Sequence, residues 1–233
     1  MIGFRQLIEK INDVSDYDKM NLNHFSKTMP LAHKLRDHYD YNKNKKEDEF
    51  RSPEFRSIDH YAGSGYIHIN MHLWDKHQGR KNNLNDDDRT MAESHIKNLD
   101  SAMNMHKTPH ALSVYSSIQH HFDPEVDKTY HHPAYLSTSL NRKSASFFSK
   151  SNFVSTSTNG NGDGAFHRHM LHINVPKDHP GIFAESVSPG EQEFILPRGT
   201  NLKHKHTHTY LKKGKGPWEK DAYYHVHHMD IVK

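Results

Sequence analysis

The chain has 233 residues, with 31 Lys plus Arg against 28 Asp plus Glu and no cysteine, which excludes disulfide frameworks and thiolate chemistry. Only 33% of residues are hydrophobic and mean hydropathy is −0.98; no run approaches the ~18 apolar residues of a membrane span. The net charge of +3 permits an acidic partner or nucleic acid and requires neither.

From the N-terminus, Met1-Ile2-Gly3-Phe4-Arg5 opens an amphipathic segment and not a signal peptide. Phe4, Leu7, Ile8 and Ile11 give a first helix by i, i+3, i+4, i+7 spacing. Further helices are expected at 17–28 and 30–40, and the charge run 42–49 is read as an exposed connection. Pro53 can open another helix, with Phe55, Ile58 and Tyr61 facing inward. Gly63 and Gly65 then break the chain before Tyr66, Ile69 and Leu73 resume helical spacing. A helix opened by Asp86 or Asp87 suits the dipole rule, with Met91, Ile96, Leu99 and Met103 as its buried stripe.

After Pro109 short apolar runs alternate with turn residues. Strands are expected at Ala111–Ser116, Ala134–Thr138, His169–Val175, Ile182–Ala184, Glu193–Leu196, Leu202–Tyr210 and Tyr223–Val232. One helix, Arg142–Lys150, is expected between the second and third, and the glycine-rich 159–164 reads as a loop. The class is α+β: a helical lobe over 1–108 followed by a mostly antiparallel β core over 109–233, together one domain.

The chemistry gathers around Ser188-Pro189-Gly190-Glu191-Gln192-Glu193-Phe194-Ile195-Leu196-Pro197-Arg198-Gly199. A Pro-Gly turn enters an apolar strand, so strand alternation would put Glu191 and Glu193 on one face and Gln192 on the other. Adjacent carboxylates repel, which suits chemistry on a cationic group; an isolated Glu-x-Glu is also an ordinary solvated strand end. Two more pieces precede it: Val114-Tyr115-Ser116, and Ser137-Thr138-Ser139 followed by a segment with Phe147 and Phe148. With Tyr61-x-Gly63-x-x-Tyr66-x-x-x-Asn70, this order resembles the arginine-directed mono-ADP-ribosyltransferases from about residue 55 onward.

The resemblance implies a helical lobe leading into two packed β-sheets around an NAD cleft, and cleavage of the nicotinamide–ribose bond of NAD, which serves as substrate with no metal. Glu193 matches the glutamate that stabilises the ribose cation, Glu191 the one that orients and deprotonates the acceptor guanidinium, and Ser137 the serine that holds the catalytic glutamate. Tyr61, Tyr66 and Asn70 match positions offered to the phosphates and adjoining ribose. Tyr115, Ser116, Thr138 and Ser139 would line the cleft, Phe148 would pack on nicotinamide, and Phe183 would sit at the base of an acceptor-presenting loop over 184–190. The family's first strand carries an arginine for NAD phosphate where this chain has Ser116; Arg142 is the replacement expected here.

The implied partner is a protein with an exposed arginine, in the cytoplasm and on host transcription or translation proteins if the chain is a phage effector. A monomer is expected, with nucleic acid permitted but not required and no membrane. Two other readings stay open. Of the 24 histidines, His204, His206 and His208 alternate on one strand, which suits either a metal site or a solvent-facing hairpin edge. Lys203, Lys205, Lys212, Lys213 and Lys215 would suit a non-catalytic module that binds nucleic acid.

Overall fold

The computed structural model describes residues 29–36, 38–39, 52–80, 84–118, 122–142, 144–145, 166–184, 191–213 and 221–233. The expected helices at 4–11 and 17–28, the charge run 42–49, the loop 159–164 and Phe148 lie outside these. Of the expected helix Arg142–Lys150, residues 142, 144 and 145 are helical and the remainder also lies outside.

Among the described residues four helices come first: α1 (29–36), α2 (Pro53–His60), α3 (Tyr66–His77) and α4 (Asp86–Met105). Ser52 caps α2 by accepting from Phe55 N at 3.0 Å, with Pro53 in the first turn. A π-helical turn, Tyr61–Gly65, links α2 to α3, and Gly63 leaves helical geometry within it (φ −79, ψ −119). Gly65 is required by close approach, because a Cβ there would stand 2.3 Å from the His60 ring and 2.6 Å from the His60 carbonyl. Asn85 caps α4 through Asp88 N at 2.8 Å, and three aspartates fill its first turn.

The buried stripe of α4 is Ala92, Ile96, Leu99 and Met103. Met91 was expected there and is 48% exposed. One position is about 100° of helix, so the i, i+4, i+7, i+11 row that starts at Ala92 points inward and Met91 points out.

Eight strands follow among the described residues: β1 (Leu112–Ile118), β2 (Thr129–His132), β3 (Leu136–Ser139), β4 (Phe166–Val175), β5 (Ile182–Phe183), β6 (Glu193–Leu196), β7 (Thr200–Lys212) and β8 (Ala222–Val232). They form one sheet in the order β2-β7-β8-β4-β1-β3-β6-β5, antiparallel throughout except for β4 beside β8. The two expected sheets are thus continuous: a five-strand half and a three-strand half meet where Tyr115 of β1 pairs with Ser139 of β3.

A single apolar cluster joins the helices to both halves, running from Leu35, Ile58, Leu99 and Met103 to Val114, Ile173 and the Phe194-Ile195-Leu196 run. Burial of each such side chain contributes about 1.5–3 kcal/mol. Gly181 admits the Phe194 ring, since a Cβ there would lie 2.3 Å from it. Phe183, expected at an acceptor loop, is 1% exposed and packs with Tyr39 at 6.3 Å; it belongs to the core. Among the described residues no helix is long and apolar enough to cross a membrane.

Candidate functional site

Strand β6 begins at Glu193 and pairs antiparallel with β3, placing Ser139 opposite Glu193 and Ser137 opposite Ile195. The hydroxyls of β3 divide into two kinds. Thr138 donates to the Phe194 carbonyl, and Ser139 donates to the Glu191 carbonyl at 2.6 Å while accepting from Asn141 N at 2.9 Å. Ser116 likewise donates to the Ser137 carbonyl at 2.9 Å. These three side chains fasten backbone to backbone. The Ser137 hydroxyl instead lies 3.4 Å from the Tyr61 phenol and hydrogen-bonds the Glu193 carboxylate.

Between the glutamates, Gln192 takes left-handed backbone geometry (φ 51), a region that disfavours side chains with a Cβ. The surroundings hold it there: Gln192 is fully buried, its carbonyl accepts from Leu140 N at 3.0 Å, and its amide meets Met29 Sδ at 2.9 Å. Glu191 and Glu193 are half-buried on either side of it.

Glu193 as a whole keeps some contact with solvent, but its Oε2 is sealed off and has no hydrogen-bond partner among the described residues. Burial pushes its carboxyl up to about 7; the Ser137 hydrogen bond works against this, and the charge of Glu191 adds to it. A carboxylate poised at neutrality with an open acceptor atom can receive a ligand hydroxyl or stabilise a nearby cation. Ser137, Tyr61 and Asn70 are drawn into the same group. The Tyr61 phenol donates to the Tyr135 carbonyl at 3.3 Å and accepts from Asn70 Nδ2 at 3.1 Å. Burial raises it well above the usual phenol range. Asn70 Oδ1 is sealed from solvent and unpartnered among the described residues, a second open acceptor.

The remaining predicted residues are spread more widely. Tyr66 is 45% exposed, its ring 6.4 Å from that of Tyr61 and edge-on. Tyr115 stacks on His172 at 4.8 Å. Arg142 lies over the Tyr210 ring at 5.6 Å, and its charge reaches Tyr115. Tyr115 and Ser116 point to opposite sides of β1, so Arg142 stands on the Tyr115 side and not where Ser116 stands.

Sequence reasoning missed the brace behind the site. The Tyr135 hydroxyl lies 2.6 Å from Asp100 Oδ1, and Arg198 grips the same carboxylate at 2.8 and 3.1 Å. This ties α4 to the segment before β3 and to the turn after β6. A cavity of about 560 Å³ opens beside the brace, lined in part by Leu73, Met103, Pro197 and Arg198; Glu193 is not among its lining residues. The available signals were the position of Tyr135 directly before the serine strand and of Arg198 directly after the apolar run.

Residues 37–223 match the family model "ADP-ribosyltransferase exoenzyme", and no curated protein sequence matches the chain. The fold is similar to that of Plx2a, an ADP-ribosyltransferase toxin from Paenibacillus larvae, with TM-score 0.61 and 15% identity over 90% of this chain and 96% of that one. It is also similar to the enzymatic component C2-I of the Clostridium botulinum C2 toxin, at TM-score 0.59 and 15% identity, where it covers 87% of this chain but 47% of that one. A third similar structure is the ADP-ribosyltransferase Vis from Vibrio splendidus in complex with agmatine, at TM-score 0.53 and 15% identity over 98% of this chain and 90% of that one. With four-fifths of its length matched by the family model, the chain belongs to the ADP-ribosyltransferase exoenzyme family, whose members take NAD as substrate.

Proposed function

We propose that the chain transfers a single ADP-ribose unit from NAD to arginine side chains of a protein acceptor. The observation that carries this reading is the pair Glu191 and Glu193 around a buried Gln192, with Ser137 on Glu193 and Oε2 left open. In the proposed reaction the nicotinamide–ribose bond breaks and its electron pair leaves with nicotinamide. Positive charge then develops on the ribose beside Glu193, whose open oxygen accepts a ribose hydroxyl. Electrostatic stabilisation of this kind is typically worth about 2.7–4 kcal/mol per group removed.

Glu191 pairs with the incoming guanidinium. Arginine is protonated at neutral pH, so the proton lost as its nitrogen bonds to the ribose passes to a carboxylate. The Vis complex with agmatine, a guanidinium compound, is in keeping with such an acceptor. Tyr61, Asn70 and Tyr66 are assigned to the adjoining ribose and phosphates, Tyr115 to the cleft wall, and Arg142 to phosphate charge. The role of Phe148 rests on the sequence resemblance. Ser116, Thr138 and Ser139 are assigned to positioning, since their hydroxyls bond backbone. The cysteine-free composition suits a monomeric single-domain effector in a reducing cytoplasm, with a phage-type action on host transcription or translation proteins as the setting proposed.

The test incubates wild type and Glu193→Ala with labelled NAD and cell lysate, then maps the modified residue by mass spectrometry. Label on arginine with wild type and its loss in the variant are expected. Equal transfer by both, or by neither, overturns the transferase reading; label on another residue type overturns only the arginine assignment.

A further inference from the structure

Strand β7 carries His204, His206 and His208, whose simple alternation would put all three on one face. A β-bulge between His204 and His206 breaks that alternation. His204 turns inward and is 2% exposed, its Nε2 3.0 Å from Thr207 Oγ1. His206 and His208 are exposed on the opposite side. After the bulge His206 is directly opposite His228 of β8, and the rings stack at 4.2 Å with His208 centred 5.0 Å from His228. One potential ligand nitrogen from each of the three lies within 4.8 Å of the others.

We propose that His206, His208 and His228 form a binding site for one divalent transition-metal ion of the Zn²⁺ class. Three imidazoles from a His-x-His strand pair and a cross-strand partner cap one face of a tetrahedral ion and leave the fourth position for water or a ligand atom. Zinc–nitrogen bonds of about 2.0–2.1 Å require the nitrogens to close up slightly, which two exposed side chains can do by side-chain rotation. Only the neutral ring ligates, so binding competes with protons. The charge of Arg142 reaches His208 and His228 and repels the ion. Affinity is therefore expected to be modest and to weaken with acid.

The experiment titrates untagged protein with Zn²⁺, reading stoichiometry by calorimetry and thermal stability in parallel. One equivalent bound with a rise in Tm is expected. The variant His206→Gln/His208→Gln should lose at least tenfold in affinity together with the Tm rise, while His110→Gln on the exposed β1 approach should keep both. Co²⁺ added to wild type supplies a readout independent of any variant: an intense visible absorption of tetrahedral type is expected. A weak octahedral spectrum, no stoichiometric binding, or equal binding by the double variant overturns the proposal.

Discussion

Glu193 is held near neutral pH by neighbours that act in opposite directions, and each can be removed separately. If the ionised carboxylate is the working form, NAD cleavage should rise with pH through about 7, the value set by burial, Ser137 and Glu191. Ser137→Ala removes the hydrogen bond that lowers this value, so its acid limb should move to higher pH. Glu191→Gln removes the charge that raises it; the limb of residual NAD cleavage should move to lower pH while arginine modification is lost. Limbs that coincide in all three proteins would remove Glu193 from this role. Stability has the reverse sign. The folded state holds the Glu193 proton more tightly than the unfolded chain, so stability falls as pH rises from about 4.5 to about 7. Glu193→Gln should therefore raise stability at pH 8, by up to about 3 kcal/mol at 1.36 kcal/mol per pKa unit and less given partial exposure, and the gap should close near pH 5. The Glu-x-Glu spelling made the glutamate pair legible in the sequence, but strand alternation does not reach Glu191, because β6 begins at Glu193. It could not show the left-handed turn at Gln192, nor that the hydroxyls of Ser116, Thr138 and Ser139 are taken up by backbone carbonyls, because those depend on which strands meet.

The helical lobe and the sheet are held in register by a few polar contacts set in an apolar seam. Tyr135→Phe deletes the hydroxyl shared by Asp100 Oδ1 and the Ile96 carbonyl, which should cost about 1–3 kcal/mol, the usual range for a buried group left unpaired. Chemical denaturation measures it, and an unchanged midpoint would show that Arg198 alone secures Asp100. Gly65→Ala drives a Cβ into the His60 ring and carbonyl, so a similar loss is expected together with weaker NAD binding, because the turn carrying Gly65 sets Tyr61 against Tyr66. Elements with a strong apolar period were legible: β6 falls where expected, and β7 and β8 extend beyond their expected ends by two residues or fewer. Strand β2 was not. Its Thr-Tyr-His-His has no apolar alternation, and it is a strand only because β7 offers its edge. The bulge in β7 was equally hidden, since a shift of facing leaves no mark in a run of alternating histidines.

Across the whole molecule the abundance of histidine becomes a statement about pH. His95, His132, His179, His208 and His228 are all lowered from the usual imidazole value, in each case first by burial. A depressed imidazole binds its proton less readily in the folded state, so its contribution is complete above about 6.5 and is lost as pH falls towards the folded value, about 4 for His228. These five groups are spread over α4, β2, the β4–β5 connection, β7 and β8, so acid acts on the whole fold and not on one edge. In the interior His169, His227, Thr207 and His204 form a hydrogen-bonded row across β4, β8 and β7. Glu193 alone among the shifted carboxyls pulls the other way, gaining stability as pH falls from about 7. Tm is therefore expected to drop between pH 7 and pH 5, as five histidine contributions outweigh one glutamate. In Glu193→Gln the drop should be steeper, because the single opposing group has gone. A flat or rising Tm over that interval in wild type would show that the five lowered histidines do not outweigh Glu193, and that their surroundings are wetter than the packing implies.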